Sequence, residues 1–176
     1  MGSASSRITG FTFTQGVAAC NDAHTPIKTS DSDGGGMTSG PFRIDHNTFT
    51  STNQVVDICV NETDGLIDDN IFNIGGASEV IHINDQGGGP SGWTDDVTPG
   101  SPRMTYIDTN TFTNSDNTYL CSAEESYTDA QFVFRYNTLY GCQNDIHDGS
   151  NGGRWGEVYD NTYHQEIGRA SCRERV

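Results

Sequence analysis

The chain has 176 residues, long enough for one domain with a buried core, yet only 32% of them are hydrophobic and the formal net charge is −15. Self-repulsion among so many carboxylates argues against nucleic acid or an anionic membrane as partner. It suits neutral glycans, or acidic glycans bridged by cations. No apolar run reaches the ~18 residues that a membrane span needs, and Met1 to Phe13 has no signal-peptide core.

From the N-terminus, one motif recurs: an apolar residue, two polar residues, Asn, any residue, then a large apolar residue. A degenerate copy opens the series at Ile8-Thr-Gly-Phe11-Thr-Phe13. Val17 to Cys20 follows as a short apolar segment, and Asp22 to Gly40 reads as an inserted loop containing the only lysine, Lys28. Full copies then come at Ile44-Asp-His-Asn47-Thr-Phe49, Ile67-Asp-Asp-Asn70-Ile-Phe72, Ile107-Asp-Thr-Asn110-Thr-Phe112, Phe134-Arg-Tyr-Asn137-Thr-Leu139 and Val158-Tyr-Asp-Asn161-Thr-Tyr163. The asparagines are 23, 40, 27 and 24 residues apart, so a coil is about 23 residues. The long gap is one coil carrying a second insertion, Gln86 to Arg103.

Between copies lie second short apolar segments: Val55 to Val60, Val80 to Ile83, Thr118 to Cys121 and Asp145 to Asp148. Their length and period-two character predict strands, and nothing sustains a helical period. The expectation is an all-β solenoid, a single-stranded right-handed parallel β-helix of about six coils spanning residues 1–165, with two strands per coil. The Asn column is expected to supply a left-handed turn residue and a coil-to-coil amide ladder. Ile44, Ile67, Ile107, Phe134 and Val158, with Phe49, Phe72, Phe112, Leu139 and Tyr163, are the expected core stack. Glu166 to Val176 matches none of these patterns and reads as a non-native tail, the translation of a sequencing adapter, so the protein is expected to continue past Gln165.

The Asn-Thr-Phe repeats, with FVFRYNTL and GEVYDNTY near the end, resemble the right-handed β-helix repeat proteins of environmental bacteria, distant relatives of the pectate lyase superfamily. The resemblance implies the fold, an extracellular or cell-surface location, and a polysaccharide or other glycan as partner. The chain is expected to be a monomer or part of a larger multidomain protein. Polygalacturonase-type aspartate sets and the arginine motif of pectate lyases are both missing from it.

Aligning the second segments gives an outward column of Cys20, Cys59, His82, Cys121 and His147, with Ile58, Val60, Ile81, Ile83, Leu120 and Ile146 inward. His82 near Asp85, and His147 between Asp145 and Asp148, offer a histidine beside a carboxylate, the usual apparatus for proton transfer. His82, His147 and Asp148 are therefore the candidate catalytic residues. Trp93, in a Gly- and Pro-rich loop, is a candidate sugar platform; Arg103, Arg135 and Arg154 are candidates to neutralise a substrate carboxylate. Asp45, Asp68 and Asp108 stack on one solvent-facing side, either as a solvated acidic face that discourages aggregation or with Arg135 or a cation, Ca²⁺ being the candidate, offsetting their repulsion. Cys20 and Cys59 fall within reach of a disulfide, with stacked free thiols the equal alternative, and Cys142 has no partner in the pattern.

Threonines flank Phe13, Phe49 and Phe112, and regular threonine arrays on flat solenoids bind ice; Ile71, Asn73, Tyr140 and His164 interrupt this one. The leading functional expectation is an extracellular polysaccharide lyase or glycoside hydrolase with a groove along the second-strand face. The competing one is a non-catalytic carbohydrate-binding or adhesive solenoid.

Overall fold

The computed structural model describes residues 6–15, 25–29, 41–52, 56–60, 65–76, 79–84, 99–101, 104–116, 121–127, 130–146, 153 and 155–164. The first coil comprises β1 (Ser6–Thr9), β2 (Thr12–Gln15) and β3 (Ile27–Lys28). The second comprises β4 (Phe42–Asp45), β5 (Thr48–Ser51) and β6 (Ile58–Val60), and the third β7 (Gly65–Asp68), β8 (Ile71–Ile74) and β9 (Glu79–Asn84). The fourth has β10 (Thr105–Asp108), β11 (Thr111–Asn114) and β12 (Cys121–Tyr127), and the fifth β13 (Gln131–Arg135), β14 (Thr138–Tyr140) and β15 (Cys142–Ile146). Two strands of a sixth follow, β16 (Trp155–Tyr159) and β17 (Thr162–His164).

Equivalent strands of successive coils pair in parallel. They form sheet one (β1-β4-β7-β10-β13-β16), sheet two (β2-β5-β8-β11-β14-β17) and sheet three (β3-β6-β9-β12-β15). This is a parallel β-helix of about six coils. Strand β7 pairs directly with β10, so the 40-residue Asn spacing is indeed one coil with an insertion.

Each of the first five coils contributes to three sheets rather than two, because the repeated motif is itself bent. His46, Asp69, Thr109, Tyr136 and Asp160 have φ between 53° and 56°, and Gly10 has φ 77°. One left-handed residue per coil swings the chain from sheet one into sheet two. The left-handed residue is the one before each Asn, not the Asn itself.

The asparagine instead fastens the bend. The Nδ2 of Asn47, Asn110 and Asn161 donates to the carbonyl two residues back, bridging the left-handed residue. Each Nδ2 also reaches a carbonyl of the preceding coil: Asn47 to Ile8, Asn70 to Ile44, Asn110 to Ile67, Asn137 to Ile107 and Asn161 to Phe134. Asn47 Oδ1 accepts from Phe11 N–H, and from Asn70 on each Oδ1 accepts from both the backbone N–H and the amide of the previous Asn, as Asn110 does from Asn70 at 2.9 and 3.0 Å. A left-handed conformation that costs an L-residue about 1–2 kcal/mol is thereby tolerated in coil after coil.

Inside the bend, Phe13, Phe49, Phe72 and Phe112 stack with centroid separations of 4.9, 4.8 and 4.7 Å, matching the strand spacing. Ile44, Ile67, Ile107 and Phe134 line the lumen beside them. Val158 and Tyr163 continue these columns but are 45% and 43% exposed on the last described coil. Where the Phe42 ring crosses sheet one, its neighbour is Gly65, at which a Cβ would lie 2.0 Å from Phe42 Cζ.

Candidate functional site

Sheet three departs most from the sequence expectation. Its first strand is Ile27–Lys28, inside the segment read as an insertion; Val17 to Cys20 lies outside the described residues. The register aligns Lys28, Cys59, His82, Glu125 and Asp145 in one column on the outer face. Cys121 does not share that column: it pairs with Cys142 near the start of the strand, and the two form a disulfide with Cα atoms 4.5 Å apart. Cys142 therefore has a partner after all. Cys59 is disulfide-bonded as well.

The misalignment has a physical cause. The lumen column of Ile27, Ile58 and Ile81 continues as Glu124 and Asn144, and that of Val60 and Ile83 continues as Ser126. Apolar alternation therefore vanishes in β12 and β15, where Leu120 and Cys121 offered a false match. A bulge between Ser122 and Glu124 shifts the register further.

Glu124 is fully buried, and neither carboxyl oxygen meets hydrogen-bond geometry with a partner. Burial pushes its pKa well above the ordinary Glu range, with the nearby Glu125 and Asp145 charges adding to the rise and Asn144 and Ser126 opposing it. Outside the lumen, His82 sits with Nδ1 3.2 Å from Glu79 Oε2, its side chain 12% exposed. Its register partner Glu125 is nearly buried, whereas Asp145, one coil on, is exposed. Adjacent parallel strands are ~4.8 Å apart, so the backbones of Glu125 and Asp145 stand side by side at about that spacing, with that of His82 the same distance before them. In the sequence Asp145 stands out only beside His147, and the polar run CSAEES, which holds Glu124 and Glu125, offers no hydrophobic anchor for placing its carboxylates.

The acidic column on sheet one has a different character. Asp45, Asp68 and Asp108 are in register, as expected, but they are covered rather than solvated. Arg7 donates to Asp45 through Nε at 2.8 Å and Nη2 at 2.6 Å, Arg43 bonds Asp68 through Nε at 3.0 Å, and Arg135 Nε donates to Asp108 at 2.9 Å. His46 Nδ1 lies 2.8 Å from Asp45 as well. The hydrogen bonds from Arg7, with His46 and the charge of Arg43, hold the Asp45 carboxyl well below the usual range against its burial. Offsetting charge thus comes from three guanidinium groups. Arg135 is raised by its bonds to Tyr159 and Asp108, and its guanidinium also lies 5.3 Å from the Tyr106 ring centroid. All the described arginines lie on sheet one, so Arg135 and the His82 column occupy different faces.

His147, Asp148, Trp93, Arg103, Arg154 and Asp85 lie outside the described residues. Among the described residues, no group of three or more His, Cys, Asp or Glu side chains is arranged to hold a metal ion, and no helix is long and apolar enough to cross a membrane. The fold and this outer column define a parallel β-helix with a histidine and a carboxylate pair on one face. No family model, curated protein or solved structure matches the chain.

Proposed function

We propose that this is an extracellular polysaccharide-active protein of the pectate lyase-like β-helix type, and that it works as a glycoside hydrolase on the outer face of sheet three. The observation that carries this reading is the register alignment of His82, Glu125 and Asp145 on three successive coils. Register-paired acids on strands ~4.8 Å apart can bring their carboxyl groups to the separation of about 5–5.5 Å that goes with retention of configuration, and retention is the proposed outcome. Glu125 would protonate the glycosidic oxygen as the C–O bond breaks, while an Asp145 oxygen bonds to the anomeric carbon. Glu125 would then take a proton from the water that displaces Asp145, restoring both groups. Their unequal exposure is the asymmetry that an acid–base pair needs. A hydrolase is preferred to a lyase because the described arginines are engaged with Asp45, Asp68 and Asp108, on another sheet from the column. The Cys121–Cys142 disulfide supports an oxidising compartment, hence an extracellular or cell-surface location.

A second reading, a non-catalytic glycan-binding solenoid, draws on the small exposure of His82, which lies against Glu79. One experiment separates them. The protein is incubated with neutral and uronate-containing polysaccharides, following reducing ends and unsaturated-product absorbance. Release of reducing ends from a neutral glycan, lost in Glu125→Gln and Asp145→Asn, is the expected result. Turnover that survives both substitutions, or none on any glycan, would refute the hydrolase reading.

A further inference from the structure

Sheet two is chemically unlike its neighbours. Its six strands contain no Asp, Glu, Lys or Arg, in a chain with a formal net charge of −15. Sheets one and three hold Asp45, Asp68, Asp108, Glu124, Glu125 and Asp145. The outward residues of sheet two form two columns in strict register. The first is threonine in five of six coils, with Ile71 the exception. The second runs from threonines through Asn73 and Thr113 to Tyr140 and His164.

That second column changes height partway along. Tyr140 and His164 stack with centroids 4.4 Å apart and planes 6° from parallel. Because they are register partners, their ring normals run along the solenoid axis. The far face of Tyr140 therefore looks down the column over Thr113, a much shorter side chain. Tyr140 is 42% exposed and Asn73 is exposed too. The result is a step: a ring face backed by a second ring, above a level floor of hydroxyl, amide and methyl groups.

We propose that this step and floor bind a neutral oligosaccharide that crosses the solenoid axis at the step, along the direction of the strands. One pyranose ring sets its C–H face on Tyr140, and its hydroxyls meet Thr113 and Asn73. Stacking on an aromatic face needs no charge. An uncharged floor on a strongly acidic protein fits a neutral ligand and disfavours a uronate chain. The same step rules against a flat ice surface, since the raised rings keep a plane from resting across all the coils. The proposal shares with the proposed function the premise that the ligand is a glycan, but it uses a different face.

The test is calorimetric or NMR titration of the whole chain with cellohexaose, xylohexaose, mannohexaose, chitohexaose and, for contrast, a hexauronate, at low and high salt. At least one neutral hexamer is expected to bind with little salt dependence. Tyr140→Ala is expected to weaken it about tenfold or more. Thr113→Tyr, which suits a strand but fills the space above the floor, is expected to abolish binding while leaving the fold intact, and serves should Tyr140→Ala misfold. Glu125→Gln is expected to stop turnover without moving this affinity, so loss of the hydrolase reading and loss of this one are told apart. Binding of none of the neutral hexamers at millimolar concentration would overturn the proposal. So would affinity unchanged in both sheet-two variants, or salt-dependent binding of the uronate alone.

Discussion

Replacing Asn110 by Ala tests whether the amide ladder holds the coils in register. Its Nδ2 donates to the Ile67 carbonyl at 2.8 Å, the Asp108 carbonyl at 3.0 Å and Asn137 Oδ1 at 3.2 Å, while its Oδ1 accepts from Asn70 N and Nδ2. Truncation leaves Asn70 N–H buried without its partner and removes the amide bonds to Ile67 C=O, Asp108 C=O and Asn137 Oδ1. At about 1–3 kcal/mol for the orphaned group and about 0.5–1.5 kcal/mol for a lost hydrogen bond, the loss is roughly 2–5 kcal/mol. Domains have about 5–15 kcal/mol in total, so this is a large fraction. For a chain of this size, each kcal/mol lowers the melting temperature by about 2–4 °C, and a fall of roughly 10 °C is expected. Asn161 makes the same kinds of bonds on the last described coil but is partly open to solvent, which can replace them. Asn161→Ala is therefore expected to cost about 1 kcal/mol. Urea unfolding followed by circular dichroism measures both. Equal costs, or an Asn110→Ala protein as stable as the parent, would refute the claim that the ladder is structural.

Glu124→Gln is expected to stabilise the protein at neutral pH. Since the folded pKa of Glu124 is raised, the parent loses stability as pH rises past the ordinary Glu range of about 4.3, and the advantage of the variant should grow from there and vanish below it. Asp45 has the opposite sign: its depressed folded pKa contributes stability above the unfolded value of about 3.9 that is lost as pH falls, so Asp45→Asn should be less stable than the parent at pH 7, with the gap closing in acid. Denaturant midpoints across a pH series check both. Opening the Cys121–Cys142 bridge, which links residues 21 apart, is expected to cost about 3 kcal/mol, read as a lower urea midpoint for the Cys121→Ala/Cys142→Ala protein.

The parts of the fold legible in the sequence are those where one residue type repeats in one structural role. Asn47, Asn70, Asn110 and Asn137 are nearly invariant because each amide satisfies the same carbonyl and N–H in its neighbours, and the phenylalanine column repeats because rings one strand apart stack. The bend before each Asn was hidden because His46, Asp69, Thr109, Tyr136 and Asp160 share a backbone angle but no chemistry. Sheet three was the least legible. Its inner positions change from isoleucine to Glu124 and Asn144, so hydrophobic alternation stopped marking the strand just where the carboxylates of the candidate site lie. Lys28 looks like a loop residue in the sequence because a two-residue strand leaves no period to detect. The Asp45, Asp68 and Asp108 column was recognised, but not that Arg7 and Arg43 reach it. Each guanidinium reaches from the preceding coil, two register positions before the aspartate it bonds, and so stands outside the aspartate column.

The account rests above all on the register that sets Glu125 opposite Asp145. The most direct measurement is disulfide trapping in the Glu125→Cys/Asp145→Cys protein, mapped by mass spectrometry of its peptides. The account predicts spontaneous cross-linking, since strands about 4.8 Å apart fall inside the 4.4–6.8 Å that a disulfide spans. It also predicts no link in Glu125→Cys/Gln143→Cys, where the pair is two residues out of register. Cross-linking of the second pair in preference to the first would contradict the alignment, and with it the candidate site.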